Sequence, residues 1–258
     1  NSQDISNENT KILANIVWQT KKFCQDIQVE ITSSDGSFHG IYNQTSFYID
    51  NFTQFIPESW TDHGIVSGNY SSVSYTAYIE GLEFDKEYSY KVITNDSEVG
   101  PFSLKLPDPN SSGQQRYLIY ADVDTNLGNH SLNAFSEIFQ REKYVFTAQF
   151  ILGDIGYELY DELGLRGEYF FNTIQNYSTT WPLILTPGNH ETYLNYSLMN
   201  FRTRNPLFNQ TQNHYISINI GKVHFLVFNY DIYSGADLEH QNSILNWLED
   251  DLIKANQV

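Results

Sequence analysis

The hydrophobic pattern changes its period once, near residue 107, and this change limits the possible folds most strongly. Before it, short segments alternate polar and apolar side chains, as in Glu87–Thr94, which is typical of half-buried strands. After it, apolar segments alternate with stretches long enough for helices, which indicates a sheet with flanking helices. We therefore predict a β-sandwich in residues 1–107, a linker in 108–115 and a layered α/β domain in 116–258.

The first part contains one specific cue for its architecture. Leu82 is followed six residues later by Tyr88 at the start of a strand, which resembles the tyrosine corner of fibronectin type III and related sandwiches. Trp18 stands where such domains keep a core tryptophan. These features predict a fibronectin III-like sandwich. Its predicted strands are Ile12–Gln19, Ile27–Thr32, Phe47–Phe52, Ser74–Glu80, Glu87–Thr94 and Pro101–Leu106.

The second part follows the stretch PDPNSSGQQ, whose proline, glycine and serine are typical of a linker. Apolar residues then recur at strand spacing and at helix spacing in turn. The predicted strands are Tyr117–Tyr120, Thr147–Leu152, Leu183–Leu185, His214–Ile220 and Val223–Asn229, the last two forming a hairpin. The predicted helices are Ser131–Glu142, Gly167–Asn176 and residues 238–255.

Polar side chains of similar chemistry follow each of the first three strands of this part. They are Asp122 after YLIY, Asp154 and Tyr157 after FIL, and Asn189 and His190 in LTPGNHETY. Because ligands bind outside the carboxyl ends of the strands in such sheets, we expect these side chains to converge. Clustered carboxylates repel each other unless a cation lies between them. Oxygen-rich ligands suit iron, manganese or magnesium, and zinc also fits.

The charge balance is acidic and limits the partners. Asp and Glu number 31 against 14 Lys and Arg, which gives a formal net charge of −17. Such a field repels nucleic acid and anionic membrane surfaces. No apolar run approaches the roughly 18 residues of a membrane-spanning helix. We therefore expect no nucleic-acid partner and no membrane span in this segment, and the pattern predicts no particular oligomeric state.

Acceptor motifs for N-linked glycans are frequent. Asn-X-Ser/Thr occurs nine times, and such acceptors are used in the secretory pathway. The single cysteine, Cys24, permits no disulfide within the chain and by itself favours a reducing compartment. Nine acceptor motifs are stronger evidence than one cysteine, so we predict a secreted, lysosomal or cell-surface glycoprotein. They are Asn43, Asn51, Asn69, Asn95, Asn110, Asn129, Asn176, Asn195 and Asn209.

Two motifs of the second part occur together in a known family. GDIGY (Gly153–Tyr157) followed by PGNHE (Pro187–Glu191) resembles the metallophosphoesterase signature, and the tyrosine marks the purple acid phosphatases. The segments ELYDELGLRGEYFFNTIQ, NFRTRNP, HYISINIGKVHFLVFN and NWLEDDLIKAN are similar to connecting segments of the animal-type branch. A leading fibronectin-like sandwich also occurs in that architecture. The chain thus resembles an animal-type purple acid phosphatase with an incomplete catalytic domain.

The resemblance implies a hydrolase of phosphate monoesters with a dinuclear metal centre, Fe(III) paired with Fe, Zn or Mn. It implies that Asp122 holds the first metal, that Asp154 bridges both, and that Tyr157 binds the first as phenolate. Asn189 then binds the second metal. His190 donates a proton to the leaving alkoxide or holds a phosphate oxygen, and a metal-bound hydroxide attacks phosphorus.

Two departures from the family pattern limit the resemblance. The opening motif of the family reads Gly-Asp-X-Gly, whereas this chain has Ala121-Asp122-Val123-Asp124. An aspartate thus adds a charge near the metals, where glycine permits close backbone approach. The family also supplies three histidine ligands beyond the position of Val258, and none of the seven histidines here fits those motifs. We therefore expect the natural protein to continue, and we do not expect this segment alone to hold two metals tightly.

Two other functions remain open. A non-catalytic glycosylated cell-surface or structural protein could reuse the fold, which would suit the nine acceptors, the acidic charge and Asp124. A phosphodiesterase or pyrophosphatase of the same superfamily is the other alternative, although Tyr157 favours the phosphatase branch. The histidine motifs expected beyond residue 258 would distinguish an enzyme from a non-catalytic protein.

Overall fold

The computed structural model contains two hydrophobic cores, one for each period of the sequence pattern. One core lies among the N-terminal strands and the other lies in the C-terminal α/β part. The structure describes residues 12–53, 69–95, 97–108, 113–125, 129–157, 159, 161–192, 201, 204–205, 215–235 and 238–256.

Strands of the N-terminal part form two antiparallel sheets that share one core. They are β1 (Ile12–Thr20), β2 (Gln28–Ser33), β3 (His39–Asn43), β4 (Ser46–Thr53), β5 (Asn69–Leu82), β6 (Glu87–Ile93) and β7 (Glu98–Lys105). One sheet has the order β1-β5-β4 and the other has the order β3-β2-β6-β7. Because side chains from both sheets meet in one cluster, this part is a β-sandwich.

Alternating burial in the central strands explains why this sequence forms a sandwich. Strand β2 places Val29 and Ile31 inside, and β6 places Tyr88 and Tyr90 inside, with more exposed residues between them. The Tyr88 hydroxyl accepts the backbone N–H of Glu83 at 2.8 Å, which is the kind of contact that a tyrosine corner makes. The period-two pattern therefore selects one face of each sheet for the core.

The C-terminal part contains a parallel sheet, a hairpin and several helices. Its strands are β8 (Tyr117–Tyr120), β9 (Ala148–Leu152), β10 (Leu183–Thr186), β11 (Tyr215–Ile220) and β12 (Val223–Phe228). Its helices are α1 (Asn129–Arg141), α2 (Leu165–Ser178), α3 (Asn189–Thr192), α4 (Tyr230–Gly235) and α5 (Leu238–Ala255), and a 3₁₀ turn covers Asp161–Gly164. Strands β8, β9 and β10 are parallel with β9 in the middle.

The middle strand is buried along almost its whole length, as expected for a strand between two neighbours. Its polar residue Gln149 is satisfied inside: it accepts the Tyr120 hydroxyl at 3.1 Å and donates to the Trp181 carbonyl at 3.1 Å. The hairpin β11–β12 packs on the sheet through Phe225, whose ring centroid lies 4.5 Å from that of Phe150. These contacts form a stable base beneath the strand ends.

The structure also differs in places from the pattern-based prediction. Strand β3 and helix α4 were not predicted, and β5 extends beyond the predicted segment Ser74–Glu80 because it pairs with a neighbour on each side. Trp18 is only partly buried and stacks on Tyr75. Residues 109–112 of the predicted linker and His214 lie outside the described residues. Within the described part, no helix has the length and apolar character needed to cross a bilayer.

Candidate metal centre

Backbone pairing continues beyond the ends of β8 and β9 and aligns the two loops that follow. The N–H of Asp122 donates to the Gly153 carbonyl at 3.3 Å, and the N–H of Val123 donates to the Asp154 carbonyl at 3.2 Å. The N–H of Gly156 donates back to the Val123 carbonyl at 2.8 Å. The parallel register thus brings the two predicted ligand aspartates to the same edge of the sheet.

Both aspartates have backbone conformations that most residues avoid. The φ angle is +55° at Asp122 and +51° at Asp154. For an L-residue this left-handed region costs about 1–2 kcal/mol, although aspartate tolerates it better than most. Such strain is concentrated at functional sites, where surrounding contacts maintain it.

Two glycines allow the loop after β10 to touch the loop after β9. A Cβ on Gly153 would lie 2.6 Å from the Gly188 Cα, and a Cβ on Gly188 would lie 2.6 Å from the Asp154 nitrogen. Neither position has room for a side chain. The glycines of GDIGY and PGNHE are therefore required by a direct contact between the two motifs.

Glu191 fixes the relation between the same two loops. Its side chain is 1% exposed, and its carboxylate accepts the backbone N–H groups of Gly188 at 2.8 Å, Ile155 at 2.8 Å and Asp154 at 2.9 Å. Burial raises the pKa of Glu191 to about 7, although the three backbone donors oppose this shift. The residue acts on the backbone, so its role is to position Asp154 and the turn that contains Asn189.

The predicted site side chains converge at this edge. The Tyr157 hydroxyl donates to Asp122 Oδ1 at 2.7 Å, and the Tyr157 ring packs edge-on against His190 with centroids 4.6 Å apart. His190 Nε2 lies 3.9 Å from Asp154 Oδ2. The Asn189 amide lies 3.2 and 3.3 Å from the two Asp154 carboxylate oxygens. The structure therefore connects all five predicted residues through direct contacts at this edge of the sheet.

The electrostatics of this group favour a proton or a cation. Burial raises the pKa of the Tyr157 phenol above its ordinary value, and the hydrogen bond to Asp122 and the charges of Asp122, Asp154 and Glu191 raise it further. The phenol alone is therefore protonated at neutral and acidic pH. Its ionisation requires a strong Lewis acid beside the oxygen.

The orientation of the Asn189 amide bears on whether the oxygen atoms at this edge suit a cation. With its nitrogen toward Asp154 the amide donates hydrogen bonds, and with its oxygen toward Asp154 three oxygens face one another. A cation stabilises the second arrangement, since hard cations prefer carboxylate and amide oxygens. Among the described residues, no group of three or more His, Cys, Asp or Glu could hold a metal. The side chains in contact at this edge also include a phenol and an amide, those of Tyr157 and Asn189.

Asp124, which stands where the family has glycine, differs from the expectation drawn from the sequence. It is 2% exposed, and its Oδ2 lies 3.6 Å from Nη2 of Arg166. Arg166 Nη1 also donates to Asp161 Oδ2 at 3.0 Å. The extra charge is thus compensated inside the protein by an arginine 42 positions along the chain.

Several residues that support the site were not predicted. Asn205 donates to the Leu185 carbonyl at 3.0 Å, and Asn229 donates to the Pro187 carbonyl. Both asparagines are buried, so together they hold the end of β10. Only Asn229 had a usable signal in the sequence, because it follows directly on an apolar strand.

Two histidines outside the motifs make structural contacts. His224 is half-buried, with Nε2 2.7 Å from Asp251 and Nδ1 2.7 Å from Asn219. His39 Nε2 lies 2.9 Å from Glu30. Of the predicted glycan acceptors, Asn43, Asn95 and Asn176 have described side chains, and all three are exposed.

The C-terminal part thus carries aspartate, tyrosine, asparagine and histidine side chains beyond the ends of parallel strands. A solved purple acid phosphatase, PPD1 from yellow lupin (Lupinus luteus) seeds, shares this fold. It superimposes with a TM-score of 0.59 at 17% identity, over 90% of this chain and 49% of the lupin chain. The chain therefore shares the fold of this purple acid phosphatase over most of its length.

Relatives in sequence narrow the resemblance further. Acid phosphatase type 7 of Danio rerio is 32% identical over 139 residues, which are 51% of this chain and 30% of that protein. The proteins of the same name from Mus musculus and Homo sapiens are each 28% identical over 117 residues, or 44% of this chain and 26% of theirs. No protein-family model matches. The resemblance to animal purple acid phosphatases is confirmed, and the chain spans less than a third of each of these relatives.

Proposed function

We propose that the protein containing this chain is a metal-dependent acid phosphatase that hydrolyses phosphate monoesters. The observation that carries the proposal is the convergence of Asp122, Asp154, Tyr157, Asn189 and His190 at the ends of three parallel strands. The similarity to acid phosphatase type 7 supports the same reaction. The phosphodiesterase and pyrophosphatase alternatives share the site class, so substrate comparison must separate them.

In this proposal, four side chains hold part of a dinuclear centre. Asp122 and Tyr157 would hold one cation, Asn189 would hold a second through its amide oxygen, and Asp154 would offer its carboxylate to both. By resemblance the cations are Fe(III) with Fe, Zn or Mn. When bound, such cations neutralise phosphate charge and lower the pKa of water. Histidine ligands from outside this segment would complete the set.

His190 is the proposed acid. Its side chain is about one-third exposed and reaches solvent from the edge of the Tyr157 ring. Its backbone N–H donates to Asp154 Oδ1 at 3.2 Å, so the residue is held beside the bridging carboxylate. From this place the imidazole can protonate a leaving alkoxide or hold a phosphate oxygen.

We further propose the setting in which the reaction occurs. The two-sheet topology and the Tyr88 contact support a fibronectin III-like domain in residues 1–107, followed by a linker in 108–115 and a catalytic part from 116. The exposure of Asn43, Asn95 and Asn176 supports N-glycosylation. Glycosylation implies a secreted, lysosomal or cell-surface location.

The test uses the full natural polypeptide, loaded with iron and zinc and assayed with p-nitrophenyl phosphate at acidic pH. Asp154→Asn should lower kcat/KM by more than about a hundredfold, because it removes the bridging charge. Asp250→Asn is the matched control, since Asp250 is exposed on α5, and it should retain wild-type activity.

Three results would contradict the proposal in different ways. Equal activity of Asp154→Asn and wild type would place the reaction elsewhere. Faster hydrolysis of bis-p-nitrophenyl phosphate or of pyrophosphate would favour the sister enzymes. Absence of activity in a folded wild-type protein that contains metal would favour the non-catalytic glycoprotein.

A further inference from the structure

The loop after β8 and the turn after Tyr157 are connected by a buried ion cluster outside the proposed ligand set. Asp124 lies two residues after Asp122, and Asp161 lies four residues after Tyr157. Both carboxylates are buried, at 2% and 5% exposure. Arg166, near the start of α2, contacts both.

The two contacts use different nitrogens of one guanidinium. Nη1 donates to Asp161 Oδ2 at 3.0 Å, and Nη2 lies 3.6 Å from Asp124 Oδ2. Thr125 adds a hydroxyl donor to Asp124 Oδ1 at 3.3 Å. A planar guanidinium suits such bridging, because its donors diverge in a fixed geometry that a lysine ammonium lacks.

The cluster connects the same two segments as the hydrogen bond between Asp122 and Tyr157. The segments that Arg166 connects also carry Asp122 and Tyr157, which meet through a 2.7 Å hydrogen bond. Arg166 thus places its guanidinium between two buried carboxylates. Its removal would take a charged partner away from both of them, which is unfavourable in a buried setting.

We propose that Arg166 is a positioning residue that holds the Asp122 loop against the Tyr157 loop through Asp124 and Asp161. We call the group of Arg166, Asp124 and Asp161 the brace. In it, the charge of Asp124 is paired with the guanidinium of Arg166. The inference rests on the proposed function for its purpose, but the brace itself can be measured without catalysis. It assigns a role to the aspartate that departs from the family motif.

The experiment is amide hydrogen exchange by NMR on the full, metal-free protein. The amides of Val123 and Gly156 report the brace, because they pair the two loops, and the amide of Phe150 in β9 reports the sheet beneath them. Arg166→Met should reduce protection at Val123 and Gly156 by at least about tenfold, with Phe150 changed less than about threefold. Arg141→Met is the matched control, since Arg141 is exposed, and it should change none of these amides.

Two milder variants keep the test informative if Arg166→Met does not fold. Arg166→Lys retains the positive charge but lacks the diverging donors of the guanidinium. Asp124→Asn retains the shape of the side chain but lacks its charge. Each should reduce protection at Val123 relative to wild type, with Phe150 changed less than about threefold. Uniform loss of protection at all three amides, or no loss at Val123 in any variant, would overturn the proposal.

An activity measurement separates this inference from the proposed function. In Arg166→Lys, kcat for p-nitrophenyl phosphate should fall about tenfold with KM changed less than about threefold, because displaced ligands weaken the transition state more than substrate binding. If wild type lacks phosphatase activity but the exchange pattern holds, the proposed function fails and the brace stands. If wild type is active and the exchange pattern is absent, the proposed function stands and the positioning role of Arg166 is wrong.

Discussion

Glu191 is adjacent to His190 in the chain, yet its carboxylate is directed at backbone amides and not at the site. It accepts three N–H groups from two loops while almost fully buried. A carboxylate suits this place because its two oxygens can together accept hydrogen bonds from three backbone donors. The residue therefore links the GDIGY and PGNHE motifs.

Glu191→Ala tests this role at the residue scale. It would remove the carboxylate that accepts three backbone N–H groups, and the expected loss of unfolding free energy is roughly 3–5 kcal/mol. Urea unfolding of the full protein at pH 6 measures the loss. Glu249→Ala, at an exposed position of α5, should change stability by less than about 0.5 kcal/mol. A loss of similar size in both variants would mean that Glu191 has no special role.

The sequence predicted the positions of Asp122, Asp154 and Asn189 well, because each follows directly on an apolar strand and parallel strands end at one edge. The same reasoning could not predict the partner of Asp124. Its compensation by Arg166 depends on a contact between residues distant in the chain, and hydrophobic periodicity carries no information about such pairs.

Among the elements, the turn between β10 and α3 carries the tightest packing of the site. Gly188→Ala would place a Cβ 2.6 Å from the Asp154 nitrogen, so the two loops would have to separate. We expect a loss of about 1–3 kcal/mol of unfolding free energy from overpacking, together with a fall in phosphatase activity. Thermal unfolding and the p-nitrophenyl phosphate assay measure the two effects.

Gly36→Ala serves as the control for Gly188→Ala. Gly36 has a φ of +71° with open space around its Cβ position, so an alanine there introduces backbone strain of about 1 kcal/mol without a steric contact. It should lower stability without lowering the activity of the folded protein. If both variants lose activity equally, the contact between the two motifs does not determine the site.

The turn between β2 and β3 provides a prediction for pH dependence. Asp35 accepts hydrogen bonds from the Ser33 hydroxyl at 2.7 Å and from the Ser37 hydroxyl and N–H at 2.7 and 3.0 Å. These bonds hold the pKa of Asp35 well below its ordinary value of 3.8. An acid whose pKa is lower in the folded state stabilises the fold above its unfolded pKa and loses this effect as pH falls through the folded pKa.

Asp35→Asn should therefore destabilise the protein by a constant amount from pH 7 to about pH 5, and the difference from wild type should shrink only below about pH 4. Urea midpoints measured across this range provide the check, with Asp26→Asn in the preceding exposed loop as control. A difference that disappears already between pH 7 and 5 would show that Asp35 is not the group responsible.

The same sandwich contains a strand that the hydrophobic pattern of the sequence did not predict. Strand β3 was missed because none of its five residues is buried, so the period-two signal that identifies a strand is weak there. Its pairing with β2 stabilises it instead. Strands with a buried face, such as β6, were predicted with nearly correct bounds.

In the whole molecule, the sandwich and the α/β part contact each other through side chains of β6 and β7. The Tyr90 hydroxyl donates to the Thr179 carbonyl at 3.0 Å beyond the end of α2. Lys143 donates to Ser103 in the same region. The pattern change near residue 107 predicted two parts, but no periodicity could predict how they meet.

Tyr90→Phe tests whether this contact stabilises the two parts together. Tyr90 is buried, and burial raises the pKa of its phenol, so the hydroxyl remains a hydrogen-bond donor at all physiological pH values. Its removal leaves the Thr179 carbonyl without this donor and should lower the unfolding free energy by about 1–2 kcal/mol. Amide exchange in β2 and in α2 should then speed up by the same factor, whereas Tyr230→Phe at an exposed position should alter neither. Acceleration in β2 alone would mean that the sandwich unfolds independently of the part that carries the site.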